Sequence, residues 1–125
     1  MTKKILIADD EVHIRNLLEQ TLEELEDEGV ELHFASNGKD ALAAIQEEKP
    51  QLVLLDFNMP HMSGVEVCQT VKKELHLDDI YIILLTGKGQ EADRQQGLEA
   101  GANRYLTKPF DPTEVSTLAE EILGI

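Results

Sequence analysis

The chain has a single cysteine, so no internal disulfide can brace it, and Cys68 sits among Val65, Val67 and Val71. That setting predicts a small apolar core residue rather than a nucleophile. Long hydrophobic runs are missing too. The longest, residues 80–85, falls far short of the roughly 20 residues a membrane-spanning helix needs. A secretory pattern is also lacking, because Lys3 and Lys4 lead straight into a strand-like run. Basic side chains are scarce: 11 stand against 25 acidic ones, a net charge of −14, which repels phosphate backbones and argues against direct nucleic-acid binding. These absences predict a soluble, cytoplasmic chain without membrane insertion. Much of the negative charge reads as solvated helix surface, as where Glu23, Glu24, Glu26, Asp27 and Glu28 surround the lone Leu25. With 125 residues and no repeat, low-complexity tract or linker, one domain over 1–125 is expected, with nothing left for an output domain.

What is present alternates. Short runs rich in Ile, Leu and Val are followed by longer segments whose apolar residues recur every three or four positions, the pattern of a parallel α/β sheet. Residues 5–8 begin it, and Ile14, Leu17, Leu18, Thr21, Leu22 and Leu25 form one helical stripe that Gly29 can close. Residues 30–35 make a more polar strand, suited to an edge. Asn37 and Gly38 turn the chain into a helix with Ala41, Leu42 and Ile45, which Pro50 ends. Residues 52–55 are the third strand. A loop through Met59, Pro60 and Gly64 leads to a third helix with Val67, Cys68, Val71 and Leu75 on one face, and residues 80–85 are a strand buried on both sides. Gly87, Lys88 and Gly89 read as a flexible turn. The fourth helix, residues 91–100, offers little beyond Ala92, Leu98 and Ala100, and is expected to be the least anchored, moving element. Residues 103–107 form the fifth strand. Asp111 as N-cap, Pro112 at the first position and Glu114 completing a capping box open a last helix that buries Val115, Leu118, Ala119 and Ile122.

In an open parallel sheet, ligands bind outside the carboxyl ends of the strands. There the first run ends in Asp9, Asp10 and Glu11, the third in Asp56, the fourth in Thr86, and the fifth in Lys108 before Pro109. Clustered carboxylates raise one another's pKa unless a cation neutralises them, and an all-oxygen donor set suits magnesium, with manganese as a substitute. Magnesium takes one or two carboxylates and keeps several waters, which fits Asp10, Asp56 and a loop carbonyl. The remaining positions could receive a phosphoryl group, with Lys108 as a point charge and Thr86 as a hydroxyl donor to its oxygens. In-line attack by a metal-bound carboxylate would leave an acyl phosphate on the chain. An Asp after a strand is often only a helix N-cap, yet matching residues at four strand ends would then be unrelated coincidences. Thr86 also reads as a turn residue, and Tyr105 as a half-buried strand aromatic. His13, His33, His61 and His76 lack metal-ligand spacing and carry no expected role.

The run Ile5-Leu6-Ile7-Ala8-Asp9-Asp10-Glu11, then Leu54-Leu55-Asp56 continuing to Met59-Pro60 and Gly64, Leu84-Leu85-Thr86-Gly87, Gly101-Ala102 and Tyr105-Leu106-Thr107-Lys108-Pro109-Phe110 resembles the response-regulator receiver family of two-component signalling, including its chemotaxis-type single-domain members. The match runs from Lys4 to the end of the chain. It implies a flavodoxin-like doubly wound fold with strand order 2-1-3-4-5 and helices on both faces. It also implies phosphate transfer from a histidine kinase or histidine phosphotransfer protein onto Asp56. Asp10 would be a direct metal ligand, Asp9 one acting through water, and Asn58 the donor of a backbone carbonyl. Lys108 would contact the phosphoryl group, while Thr86 swings toward it and Tyr105 turns into the vacated space. The face formed by the fourth helix, fifth strand and fifth helix would then change shape for a downstream protein, a phosphorelay or a phosphorylation-dependent dimer. The implied chemistry is self-catalysed phosphotransfer and autodephosphorylation, so the chain would be a switch rather than an enzyme. Gly87 departs from the family's common alanine and should loosen that loop. Asn58 and Lys88 occupy positions where the family varies in ways linked to the lifetime of the phosphorylated state.

Two other functions fit parts of this pattern. An aspartate-nucleophile phosphatase would place a second Asp two residues after Asp56, but Asn58 stands there and cannot protonate a leaving group. The cap domain of many such enzymes is also missing. A flavin-binding module would need glycine and hydroxyl residues after the first strand, where Asp9, Asp10 and Glu11 stand instead.

Overall fold

Five strands, β1 (Lys4–Ala8), β2 (Glu31–Ala35), β3 (Leu52–Asp56), β4 (Tyr81–Thr86) and β5 (Arg104–Thr107), form one parallel sheet in the expected order 2-1-3-4-5. The computed structural model describes residues 2–87 and 91–125, and only the backbone of 91–93. Lys88 and Gly89 of the expected turn therefore lie outside the described residues, as does the side chain of Ala92. All five residues of β3 and the last five of β4 are buried, as covering both faces of a parallel sheet requires. β2 pairs only with β1 and is half-exposed, which explains its polar sequence.

The register aligns the strand ends. Ala8 lies opposite both Ala35 and Leu55, Asp56 opposite Leu85, and Thr86 opposite Thr107, so the strands deliver their terminal residues to one rim. Alternate strand residues feed two cores. Leu6, Val53, Leu55, Ile82 and Leu84 point to one, with α3 (Gly38–Glu48) and α4 (Gly64–Gln69). Ile5, Ile7, Leu54, Ile83 and Leu85 point to the other, with α1 (Val12–Thr21), α2 (Glu23–Asp27) and α6 (Pro112–Leu123). The expected fourth helix is α5 (Glu91–Glu99). Among the described residues no helix is long and apolar enough to cross a membrane.

Local departures have visible causes. The first helix is broken at Leu22, which leaves α-helical geometry at φ −101°, ψ 10°. This break keeps Leu22 and Leu25 buried while Leu17 stays exposed, and Gly29 then reverses the chain at φ +100°. The third helix ends in a π-helical turn (Thr70–Glu74), closed by Leu75 N–H donating to Thr70 O at 2.8 Å. That wider turn rotates Leu75 out of the expected stripe and into solvent. On α5 it is Gly97, not Leu98, that meets the sheet: a Cβ on Gly97 would stand 2.5 Å from Leu84 Cδ1, whereas Leu98 is 43% exposed. At α6, Asp111 accepts from Thr113 N–H at 2.9 Å, one residue short of the Glu114 N–H that a capping box would use. The reciprocal capping box occurs instead at Ser63 and Glu66, opening α4. In α6 Leu123 is buried and Ile122 only partly so.

Candidate functional site

Each strand end delivers its residue for a local reason. Asp9 continues β1 by donating its N–H to Ala35 O at 3.1 Å, and its fully buried carboxylate accepts from Glu11 N–H at 2.9 Å and Lys108 Nζ at 2.8 Å. Asp10, the next residue, is exposed. Asp56 ends β3 and is 6% exposed; its Oδ1 lies 3.3 Å from Lys108 Nζ and 3.4 Å from Asn58 N. Lys108 is held by its own backbone, whose N–H donates to Thr86 O at 2.7 Å, and the Lys108-Pro109 bond is cis. Glu11 stands 3.9 Å from the same ammonium. One carboxylate oxygen each from Asp9, Asp10 and Asp56 lies within 4.8 Å of the others.

Asp9, Glu11 and Asp56 face one ammonium and Asp10 adds a fourth carboxylate, which leaves the rim short of positive charge. Burial pushes the Asp56 carboxyl up to about 7, with the Asp9 charge and a hydrogen bond to Asp10 adding to the rise and Lys108 opposing it. Burial alone would lower the Lys108 ammonium, yet the hydrogen bond to Asp9 and the charge of Asp56 carry it above its ordinary value. The donor set fits a hard divalent cation such as magnesium, which would relieve the Asp9, Asp10 and Asp56 repulsion that Lys108 meets only in part. Thr86 is buried, and its Oγ1 has no hydrogen-bond partner among the described residues, a lack that costs roughly 1–3 kcal/mol. A phosphoryl oxygen would supply the missing acceptor.

Asp9, Asp10, Asp56 and Lys108 are thus brought together, and Thr86 stands at the adjoining strand end. Asn58 is exposed, with its backbone N–H turned toward Asp56. Tyr105 lies opposite Leu84, half-buried, with the Arg94 guanidinium 4.9 Å from its ring centroid. Met59 and Met62 pack on one core and Phe110 on the other. Cys68 is buried, which pushes its thiol up to about 11, as suits a core residue. His33 lies between Glu31 at 3.2 Å and Glu48 at 3.8 Å, away from the rim, and Lys4 Nζ already pairs with Glu48 at 2.9 Å.

Arg15 and Phe57 escaped the sequence reading, which named Gly38 and Gly64 without their close backbone contacts. Arg15 Nη1 donates to Asp9 O at 2.6 Å. A Cβ on Gly64 would meet Asp56 O at 2.1 Å, and one on Gly38 would meet Met62 O at 1.8 Å, so both glycines allow backbones to touch, the first directly at Asp56. Phe57 is buried. A Ser followed three residues later by Glu could have revealed the Ser63 cap; no periodic signal could have revealed Arg15.

The fold and this rim define a flavodoxin-like α/β domain with an acidic site at its strand ends. Residues 5–120 match the family described as the response regulator receiver domain, and the chain belongs to that family. It is thus a receiver domain of the response-regulator type. It is 42% identical over 123 residues to the alkaline phosphatase synthesis transcriptional regulatory protein PhoP of Bacillus subtilis, covering 98% of this chain and 49% of that protein. It is 43% identical over 121 residues to the phosphate regulon transcriptional regulatory protein PhoB of Pseudomonas aeruginosa, covering 97% and 52%. The chain therefore spans about half the length of these relatives. Among solved structures it is similar to the chemotaxis response regulator CheY4 of Vibrio cholerae, with TM-score 0.83, 30% identity and coverage of 98% and 99%. A CheY-like receiver domain protein of Methanospirillum hungatei gives TM-score 0.84 at 30% identity, covering 99% and 96%.

Proposed function

We propose that Asp56 accepts a phosphoryl group from a histidine kinase or histidine phosphotransfer protein, and that its capture reshapes the face of α5, β5 and α6. The observation that carries this is the convergence of one oxygen each from the Asp9, Asp10 and Asp56 carboxylates within 4.8 Å of one another, with Lys108 Nζ on Asp9 and Asp56. Asp10 and Asp56, with the Asn58 backbone carbonyl, would hold magnesium or manganese, and Asp9 would act on it through water. When bound, the ion supplies charge to the oxygens of the group in transfer. An Asp56 carboxylate oxygen forms the new bond to phosphorus as the phosphorus–nitrogen bond to the donor imidazole breaks. Lys108 exchanges part of its hold on Asp56 for the phosphoryl oxygens, and the Thr86 hydroxyl gains its acceptor. Thr86 moving toward the group would free space for Tyr105, whose ring now meets Arg94 on α5, so the change reaches the proposed output face.

That face would serve a downstream protein, a phosphorelay partner or a second copy of the chain, in the cytoplasm. The net charge of −14 supports a protein contact over a nucleic-acid one. The test is mass spectrometry after incubation with acetyl phosphate and magnesium. One labile phosphoryl group is expected on the wild type and none on Asp56→Asn. Steady phosphate release with no labelled chain would instead favour a phosphatase.

A further inference from the structure

Asp10 is exposed, yet its carboxylate is aimed into the cluster, and the two peptide planes that flank it explain how. The Asp10–Glu11 plane is held at its N–H, which donates to Asp9 Oδ1 at 2.9 Å. The Asp9–Asp10 plane is held at its oxygen, which accepts from Arg15 Nη1 at 2.6 Å. Because a peptide unit is rigid, fixing one polar atom in each plane brackets the only two backbone rotations of Asp10. The remaining polar atoms of Asp9 are also engaged, with Ala35 O and Lys108 Nζ. Among the described residues this carbonyl is the partner of the Arg15 guanidinium; no carboxylate competes for it. Glu11 makes no side-chain capping hydrogen bond to α1; its carboxylate meets the exposed His13 of that helix at 3.2 Å, a contact that does not involve the Asp9–Asp10 peptide.

We propose that Arg15 is a positioning residue for the metal pocket: by pinning the Asp9–Asp10 peptide from one turn along α1, it sets the aim of the Asp10 carboxylate. The inference rests on the proposed magnesium site. A charged donor on a part-buried carbonyl is strong enough for its loss to weaken ion binding about tenfold.

Calorimetric titration with magnesium chloride tests this on wild type, Arg15→Ala and Arg15→Lys, together with thermal unfolding in chelator. Arg15→Ala should raise the magnesium Kd about tenfold. Acetyl-phosphate labelling should be slow at low magnesium and return to the wild-type rate at saturation. A purely structural role would lower the chelator midpoint and leave Kd untouched, and that result overturns the proposal. Should Arg15→Ala not fold, Arg15→Lys replaces it, with about threefold weaker binding expected and unchanged binding overturning the idea. A wild type that takes up no magnesium sinks the metal-site reading itself, whereas a binding wild type with an equally good Arg15→Ala sinks this inference alone.

Discussion

Asp56 is the residue whose environment works hardest against its charge. Its carboxyl is carried from 3.8 to about 7 by burial and by Asp9, so the ionised form is less welcome in the fold than in the unfolded chain. For an acid raised in this direction, no penalty exists below 3.8; it grows as pH rises through the window and is complete above about 7. Metal-free protein should therefore lose stability across that interval. Asp56→Asn should unfold at a higher temperature than wild type at pH 8 in chelator, with the gap closing near pH 4, as followed by circular dichroism. A gap that is independent of pH would refute the assignment. Lys108 predicts the opposite sign. Removing it strands the fully buried Asp9 carboxylate, and breaking such a pair from one side costs about 3–5 kcal/mol. Urea unfolding of Lys108→Ala should show a loss of that order, largely recovered when Asp9→Asn is added. The acidic residues themselves were legible, because Asp9 and Asp56 directly follow apolar runs and Asp10 comes next after Asp9. The hold of Lys108 on Asp9 was not, since the two stand 99 positions apart and sequence spacing carries no trace of that contact.

At the scale of elements, periodicity located the five strands and the helices between them among the described residues, but ran α1 and α2 together as one helix and misjudged how individual turns meet the sheet. Leu98 shows why: it is the one large apolar residue in the sequence of α5, but close packing on Leu84 required the neighbour without a side chain, Gly97. Leu98→Ala should thus cost under about 1 kcal/mol, whereas Leu54→Ala in the middle of β3, fully buried, should cost about 2–5 kcal/mol. Denaturant midpoints for the two variants check this, and equal losses would mean that α5 packs through Leu98 after all. Leu75 fails for a related reason, because a 3.6-residue stripe cannot anticipate a π-helical turn. The strand order, by contrast, came from family resemblance, since periodicity leaves it open.

The whole molecule carries −14, and two kinds of cation should act on it differently. Potassium chloride screens the dispersed acidic surface of helices such as α2, a diffuse effect governed by ionic strength. Magnesium at the rim would bind only the folded arrangement of Asp9, Asp10 and Asp56, so its stabilisation follows mass action, about 2.7 kcal/mol at a hundredfold excess over Kd. For a chain of this size that corresponds to roughly 8–14 °C in unfolding midpoint. Comparing magnesium chloride with potassium chloride at equal ionic strength separates the two. Magnesium should raise the midpoint well beyond potassium in the wild type, and the excess should shrink sharply in Asp10→Asn. An equal response to both salts would reduce the acidic rim to ordinary surface charge. A difference that survives loss of Asp10 would place the ion elsewhere on the molecule.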